Sequence, residues 1–369
     1  MSGGAFVAYR DRLAPRSELT FLSRQYVAFE RLKPLWLGRK RDVGFDQLGG
    51  EARLLGGGWI EREAYKFLGR LPGEPDLRAL RPKLVHAHFG RGGALALPMA
   101  RALGVPLVVS FYGADATKER QYQAFPPSIF RMRLKALQRE AALFLCVSDF
   151  VRRRLVERGF PEGKLRTQHS GVNIEPEWGW TGANEAPYVL FAARFVEKKG
   201  AFTLIEAVRR LQGEGRNLRL VMVGEGPLEG ELRRAAAGLA AVEFRGWMGN
   251  AELRGWLRGA LALCAPSQRG SDGDEEGLPT IALEALSAGT PVVGSAVAGI
   301  GEAVVDGRNG FLTPEKDADA VAAALRKLID SSSLRMSLGQ AARETAVTSF
   351  SMEGQSRRLE EILLGLSSP

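Results

Sequence analysis

Short apolar runs alternate with stretches of helical period along nearly the whole chain, and this alternation limits the fold more than any other feature. A strand whose apolar residues are continuous must be covered on both faces. Helices between strands supply that cover, which is the pattern of a parallel sheet. AFVAY, PLWL, LVHAHF, PLVVSFYG and LFLCVS are the candidate strands of the first half, and YVLFAARF, LRLVMVG, VEFRG, ALALCAPS, PVVGSA and GFLTP those of the second. Between the two series Glu175 to Pro187 (EPEWGWTGANEAP) has no period and is rich in turn residues, so it reads as a linker. The expected architecture is α/β, with two doubly wound Rossmann-like domains over residues 1–180 and 187–349 facing each other across a cleft at the carboxyl ends of their strands. Residues 350–369 read as a terminal helix with Leu359, Ile362, Leu363 and Leu366 on one face, covering either the second domain or the first.

Composition agrees: 369 residues, 45 % hydrophobic and 25 % charged, are enough for two buried cores and exclude disorder and fibre. The charge is uneven. Met1 to Trp180 carries 30 basic and 18 acidic residues, a net +12, and the remainder carries 21 and 24, a net −3. Within the basic half, FERLKPLWLGRKR (Phe29 to Arg41) and IFRMRLKALQR (Ile129 to Arg139) interleave apolar and basic positions. They read either as solvated faces or as segments drawn to anionic lipid. No nucleic-acid motif accompanies them, so no nucleic-acid partner is expected. Cys146 and Cys264 sit in apolar runs, which suits a reducing compartment. The amino terminus lacks a signal-peptide core, and the longest uncharged run, Ala285 to Gly301, is interrupted by Gly289, Pro291, Gly294 and Gly299. A cytoplasmic location is expected, with any membrane contact peripheral.

Two stretches carry candidate chemistry. In DGDEEGLPTIALEALSAGTPVVG (Asp272 to Gly294) an acidic, glycine-rich loop ends at Pro279, suited to the first turn of a helix. The N–H groups of Gly277, Leu278 and Thr280 would then favour a phosphate at the helix start. Glu276 lies just before that helix and Glu284 just over one turn into it. Carboxylates there suit sugar and ribose hydroxyls, although a helix-end charge and a solvated helix residue describe the pair equally simply. In FAARFVEKKGAFTLIEAV (Phe191 to Val208), Arg194 and Lys199 share one strand-to-helix loop. Two cations there suit a pyrophosphate or are merely a solvated turn. Downstream, VGEGP places Gly224 and Gly226 in a turn where backbone can approach a ligand.

Taken together, ARFVEKKG, VGEGPL, FRGWMGNAELRGWLRGALALCAPS and DGDEEGLPTIALEALSAGTPVVG followed by GIGEAVVDGRNGFL resemble the donor half of a retaining GT-B glycosyltransferase of family 4. The similarity runs from Tyr188 to about Phe350. It continues more loosely through LVHAHFGRGGALALPMARALGVPLVVSFYGADAT, LFLCVSDFVRRRLVERGF and KLRTQHSGVN, and the details DGDEEGLP and HAHFG resemble the branch that builds bacterial exopolysaccharide, colanic acid and lipopolysaccharide. The resemblance implies that Arg194 and Lys199 bind the donor diphosphate, that Glu284 holds the ribose, and that Glu276 contacts the donor sugar near the reacting carbon. Gly224, Gly277, Leu278, Pro279 and Thr280 complete the donor-binding set. It also implies that the terminal helix crosses back onto the first domain.

Three departures accompany it. Where the family has a histidine before the acceptor-domain glycine, this chain has Tyr112 before Gly113 and Asp115; a phenol donates a hydrogen bond but carries no imidazole proton. The first strand is followed by YRDRLAPRSEL rather than two glycines, with Arg12 or Arg16 available to the phosphate. GIGE has glycine where proline is commoner. The acceptor side is assigned to His88, Tyr112, Asp115 and Arg16, with His86 as an interior residue. Asp272 and Asp274 read D-G-D but lie in the sugar loop, so no metal and no cofactor beyond the nucleotide diphosphate sugar substrate is expected. The function implied is transfer of a hexose from that donor to a lipid-linked or membrane-associated glycan. The alternatives are a GT-B enzyme on a small soluble acceptor, a nucleotide-sugar epimerase, and a non-catalytic nucleotide-binding protein.

Overall fold

The computed structural model describes residues 4–13, 18–42, 51–123, 125–174 and 187–367. The chain divides into two compact units, Met1–Gly171 with Met352–Pro369, and Val172–Ser351.

Among the described residues, the strands of unit 1 are β1 (Gly4–Tyr9), β2 (Arg12–Leu13), β3 (Leu32–Gly38), β4 (Lys40–Arg41), β5 (Glu51–Leu54), β6 (Val85–His88), β7 (Leu107–Phe111), β8 (Leu143–Cys146) and β9 (Leu165–Thr167). Seven of them form one sheet in the order β5-β3-β1-β6-β7-β8-β9, every pair parallel, and β2 pairs with β4 apart from it. Unit 2 contains β10 (Tyr188–Ala192), β11 (Arg219–Val223), β12 (Val242–Arg245), β13 (Ala262–Ala265), β14 (Val292–Ser295) and β15 (Gly310–Thr313). Their order is β12-β11-β10-β13-β14-β15, again all parallel. The strand order of each sheet reverses once, between β1 and β6 in unit 1 and between β10 and β13 in unit 2. At such a reversal neighbouring loops leave in opposite directions and a crevice opens above the carboxyl ends.

Every strand expected from an apolar run is present. The two strands of the seven-stranded sheet that the apolar pattern does not reveal, β5 and β9, lie at its edges. β5 is exposed or half-buried throughout, and β9 buries only Leu165. An edge strand gains its pairing from one neighbour and needs no continuous apolar run. Most of the linker segment Glu175 to Pro187 lies outside the described residues. Each unit has its own core: Phe6, Ala8, Leu22, Trp36, Val108 and Leu145 belong to one, and Val189, Phe191, Leu204, Leu220, Cys264 and Leu325 to the other.

The segment Phe29 to Arg41 is corrected by the structure. It contains β3, an interior strand, and Trp36 is buried and stacked on His88. Arg39 is buried too, bonded to Asp11 and paired with Glu63. These apolar residues face the core, so the segment offers no lipid-facing surface. No helix among the described residues is long and apolar enough to cross a membrane.

The helix Met352–Ser367 belongs to unit 1, where Leu359 and Leu363 join the core. Its polar side is anchored as well. The buried Glu360 carboxylate accepts hydrogen bonds from the backbone N–H groups of Glu30, Arg31 and Leu32 at 2.6–3.2 Å, where the chain enters β3, and Ser356 Oγ accepts from Ala28 N at 3.0 Å. Charge-assisted bonds to a buried carboxylate are the strong kind, and removing the acceptor strands its donors. Glu360→Ala is therefore expected to lower stability by about 2–3 kcal/mol, with Glu360→Gln intermediate, read as the shift of the urea midpoint.

Candidate active site

The sheet of unit 2 places two loops side by side at its reversal. The first leaves β10 at Ala192 and runs through Arg194 and the short 3-10 turn Glu197–Lys199 into the helix Ala201–Gly213. The second leaves β13 at Ala265 and runs to the helix Thr280–Ala288. They are knitted together. Gln268 N donates to the Lys198 carbonyl at 2.9 Å, and Ser271 donates through N and Oγ to Glu197 Oε2 at 3.0 and 2.6 Å. Gly200 is left-handed at φ 65°, and a Cβ there would lie 1.8 Å from the Pro266 carbonyl oxygen, so only glycine permits this approach.

Glu276 sits where the loops meet. It is 8 % exposed, and its Oε1 lies 2.9 Å from Lys199 Nζ and 3.1 Å from Lys198 Nζ, while Lys198 Nζ also reaches Asp274 Oδ1 at 3.1 Å. Burial alone would push the Glu276 carboxyl up, but Lys199 and Lys198 outweigh it and hold the group at about 2. Burial likewise works against the Lys198 charge, and Glu276 and Asp274 raise its pKa in spite of it. Glu276 is thus a permanent carboxylate at neutral pH: it accepts hydrogen bonds and donates no proton.

Lys198 is a member of the cluster that sequence reasoning passes over in favour of Lys199. The signal was present as the doublet in EKKG, but which lysine turns toward the acidic loop depends on the 3-10 turn. Asp274, half of the D-G-D pair, is engaged by Lys198, and Asp272 Oδ1 caps Asp274 N at 3.0 Å. Arg194 stands exposed on the turn directly after β10.

Pro279 caps the helix Thr280–Ala288 without a side-chain acceptor, and no acidic residue occupies the first turn. The amide groups at this start therefore meet no carboxylate from the helix itself, the arrangement in which a phosphate is favoured. Gly277, Leu278 and Pro279 are buried and Thr280 is exposed at the mouth, with Glu284 half-buried one turn further on. Gly224 has a more internal use than expected. At φ 135° it lets the turn after β11 press on the turn after β10, where a Cβ would lie 2.0 Å from the Ala193 carbonyl oxygen. The backbone it admits is that of the Arg194 loop.

The acceptor-side residues of unit 1 prove mostly internal. His86 and His88 lie on one face of β6 and are both fully buried. A chain of hydrogen bonds runs Gln25 Nε2 to Tyr112 OH (3.1 Å), Tyr112 OH to His88 Nδ1 (2.7 Å), His88 Nε2 to Tyr26 OH (2.7 Å), Tyr26 OH to His86 Nδ1 (2.8 Å) and His86 Nε2 to Ser110 Oγ (2.7 Å). Donation in that direction satisfies both imidazoles as neutral rings. Burial pushes His86 down to about 3 and drives His88 well below its ordinary value, with His86 and Arg10 adding to the latter. His88, expected to touch the acceptor, is instead a buried support for Tyr112.

Asp115 is turned inward as well. It accepts from the N–H groups of Gly90, Tyr112 and Gly113 at 2.9–3.1 Å, tying the ends of β6 and β7 together, and burial pushes it up to about 6 against those bonds. Among the described members of this set, only Tyr112 is half-buried, lining a small cavity with Gln25, Ser110, His169 and Gln355. Arg12 is bonded to Asp42, and Arg16 lies outside the described residues.

Two family models match the chain: glycosyl transferases group 1 over residues 178–345, and glycosyltransferase family 4 over residues 51–176. The putative colanic acid biosynthesis glycosyltransferase WcaL of Salmonella typhimurium is 33 % identical over 290 residues, covering 75 % of this chain and 69 % of the relative. The amylovoran biosynthesis glycosyltransferase AmsK of Erwinia amylovora is 33 % identical over 288 residues, covering 75 % and 68 %. Among solved structures, Anabaena HepE in complex with UDP superposes with a TM-score of 0.80 at 16 % identity, covering 98 % of this chain and 100 % of that one. The fold is thereby GT-B.

The ionic cluster has a pH signature. The folded Glu276 pKa lies below the ordinary value of 4.5, so its contribution is complete above pH 4.5 and is lost as pH falls toward 2. Comparing urea midpoints of wild type and Glu276→Gln should show a contribution from this ionisation of about 3 kcal/mol at pH 7, falling to less than half of that by about pH 3. A pH-independent difference would mean that the lysines do not hold the carboxylate.

Proposed function

The chain belongs to the family 4 glycosyltransferases, and from that membership we propose that it moves a hexose from a nucleotide diphosphate sugar to a lipid-linked or membrane-associated glycan, with retention at the anomeric carbon. The observation that carries this proposal is the convergence, at the reversal of the unit 2 sheet, of Lys199, the ionised Glu276 and an uncapped helix start on loops that also bear Arg194. WcaL and AmsK, named for colanic acid and amylovoran biosynthesis, support a role in bacterial polysaccharide or lipopolysaccharide assembly. HepE, solved with UDP and with UDP-glucose, supports a nucleotide sugar as donor.

Glycosyl transfer must stabilise a departing diphosphate and an oxocarbenium-like carbon. Arg194, Lys199 and the N–H groups of Leu278 and Thr280 stabilise the first, Arg in bidentate fashion and Lys as a point charge. Lys199 is shared with Glu276 before donor arrives. A diphosphate that draws Lys199 toward itself removes one of the two ammonium contacts on Glu276 Oε1, with Lys198 still in place, and so opens room there for a donor-sugar hydroxyl. Glu284 accepts from the ribose. Because Glu276 is held ionised, it acts as an acceptor and electrostatic partner and not as an acid, and the departing phosphate itself assists attack from the same face. On the acceptor side Tyr112, aligned by His88 and Gln25, presents its hydroxyl to the incoming glycan.

Arg194→Ala, Lys199→Ala and Glu276→Ala are each expected to lower donor-dependent transfer by about a hundredfold or more, the scale of removing one preorganised donor or charge at a reacting centre. A panel of nucleotide diphosphates read by thermal shift identifies the base. A nucleotide at 100 times its Kd adds ~2.7 kcal/mol, and Arg194→Ala should abolish that gain. Transfer within a few-fold of wild type in all three variants would overturn the assignment.

A further inference from the structure

Gln25, Tyr112, His88, Tyr26, His86 and Ser110 form one line of hydrogen bonds through unit 1, each 2.7–3.1 Å long. Every group between the two ends has one proton and two neighbours, since a phenol carries one O–H and a neutral imidazole one N–H. Burial holds both imidazoles neutral. Such a group must give its proton to one neighbour and accept from the other. Otherwise two bare acceptors would face each other inside the core, which is costly. The line therefore has a polarity, and all its members share it.

One end sets that polarity. Gln25 meets Tyr112 through Nε2, which donates only. Tyr112 then gives its proton to His88 Nδ1, His88 Nε2–H donates to Tyr26, Tyr26 donates to His86 Nδ1, and His86 Nε2–H donates to Ser110 Oγ. Both histidines are thus Nε2–H tautomers. The rings are clamped in these orientations by packing: His88 is stacked on Trp36 with ring centroids 5.6 Å apart, and Tyr26 packs edge-on against Phe6 and Phe29 at 5.2 and 5.1 Å. Only the protons can change place. Without Tyr26, His88 Nε2–H has no acceptor, and the opposite tautomer, which takes Tyr112 as its own acceptor, is no longer excluded. His86 in turn fixes where the Tyr26 proton points.

Gln25 and Tyr112 are half-buried and the other four members are buried, so the line reaches the surface at the Tyr112 hydroxyl, whose own proton is already spent on His88. What the phenol offers outward is an oxygen lone pair. Resting on the reading of Tyr112 as facing the acceptor glycan, we infer that Tyr26 and His86 are positioning residues, which fix the polarity of the line so that Tyr112 accepts a hydrogen bond from the attacking hydroxyl of the glycan and donates none to it. A hydroxyl held in this way turns its lone pairs away from the phenol, the orientation an attacking oxygen needs. The group selected is one with a proton to give, a sugar hydroxyl and not a carboxylate or an ether oxygen. The line itself takes up no proton, since burial raises the pKa of the Tyr112 phenol and lowers those of both imidazoles. The proton of the attacking hydroxyl leaves with the departing phosphate.

Nitrogen NMR of the full chain labelled at histidine tests the polarity, because the sequence has only three histidines and His169 lies outside the line. At about pH 8, His86 and His88 are both expected as Nε2–H tautomers. Gln25→Glu exchanges the donor for a carboxylate that only accepts, and should turn both to Nδ1–H. With Tyr26→Phe added, the reversal should stop at His88. If Tyr26→Phe loses the wild-type melting transition, Gln25→Glu, a change at a half-buried residue, decides. The role in transfer is read from release of nucleoside diphosphate from UDP-glucose, UDP-galactose and GDP-mannose with methyl glycosides as acceptors. Tyr112→Phe and Tyr26→Phe should each lower kcat about tenfold with KM for the nucleotide sugar unchanged, and the double variant should lose no more than about twofold further. Nδ1–H on either histidine of the wild type, unchanged tautomers in Gln25→Glu, or losses that multiply in the double variant would overturn the inference. A chain that consumes none of these donors would overturn the transferase reading and with it the role of Tyr112, while the tautomers still decide the polarity.

Discussion

Everything functional in unit 2 depends on one constraint, the single reversal of strand order between β10 and β13. Parallel strands send all their carboxyl ends the same way, and where the order reverses the two following loops leave toward opposite faces of the sheet with a crevice above them. At the floor of that crevice the loops after β10 and β13 still touch, with Gly200 against Pro266, Gln268 against Lys198 and Ser271 against Glu197. The ionic cluster of Lys198, Lys199, Asp274 and Glu276 follows from that contact.

The cluster shows how burial and charge are balanced where two loops meet. A carboxylate 8 % exposed is costly unless paired, and here two ammonium groups more than offset the desolvation. The same pairing means that the site is electrostatically closed on itself until an anion competes for the lysines. A more negative ligand, such as a diphosphate, is the kind of group that can.

Unit 1 treats its polar residues in the opposite way. His86, His88 and Tyr26 are carried into the core as neutral groups because each hydrogen-bonding atom finds a partner along one continuous chain. Asp115 is buried against three backbone N–H groups, and Glu360 caps the entry to β3 from the far end of the sequence. The effect of the His86–His88–Tyr26 chain and of Asp115 is to hold Tyr112 and the loops after β6 and β7 in place, with both imidazoles kept neutral by burial and Asp115 pushed up to about 6.

The sequence by itself determined the class of fold, because continuous apolar runs can be satisfied only by strands covered on both faces, and those runs are local. It also marked Arg194, Lys199, Glu276 and the helix start after Pro279, because loop glycines, cations and carboxylates at strand ends are visible as strings. Only the tertiary structure decided what these residues touch. That Lys198 joins Lys199 on Glu276, that Gly224 yields to the Ala193 carbonyl, and that His88 is support and Trp36 is core all depend on which segments distant in sequence come within a few ångströms. Hydrogen bonds and ion pairs are decided over that distance, and no spacing along the chain encodes it.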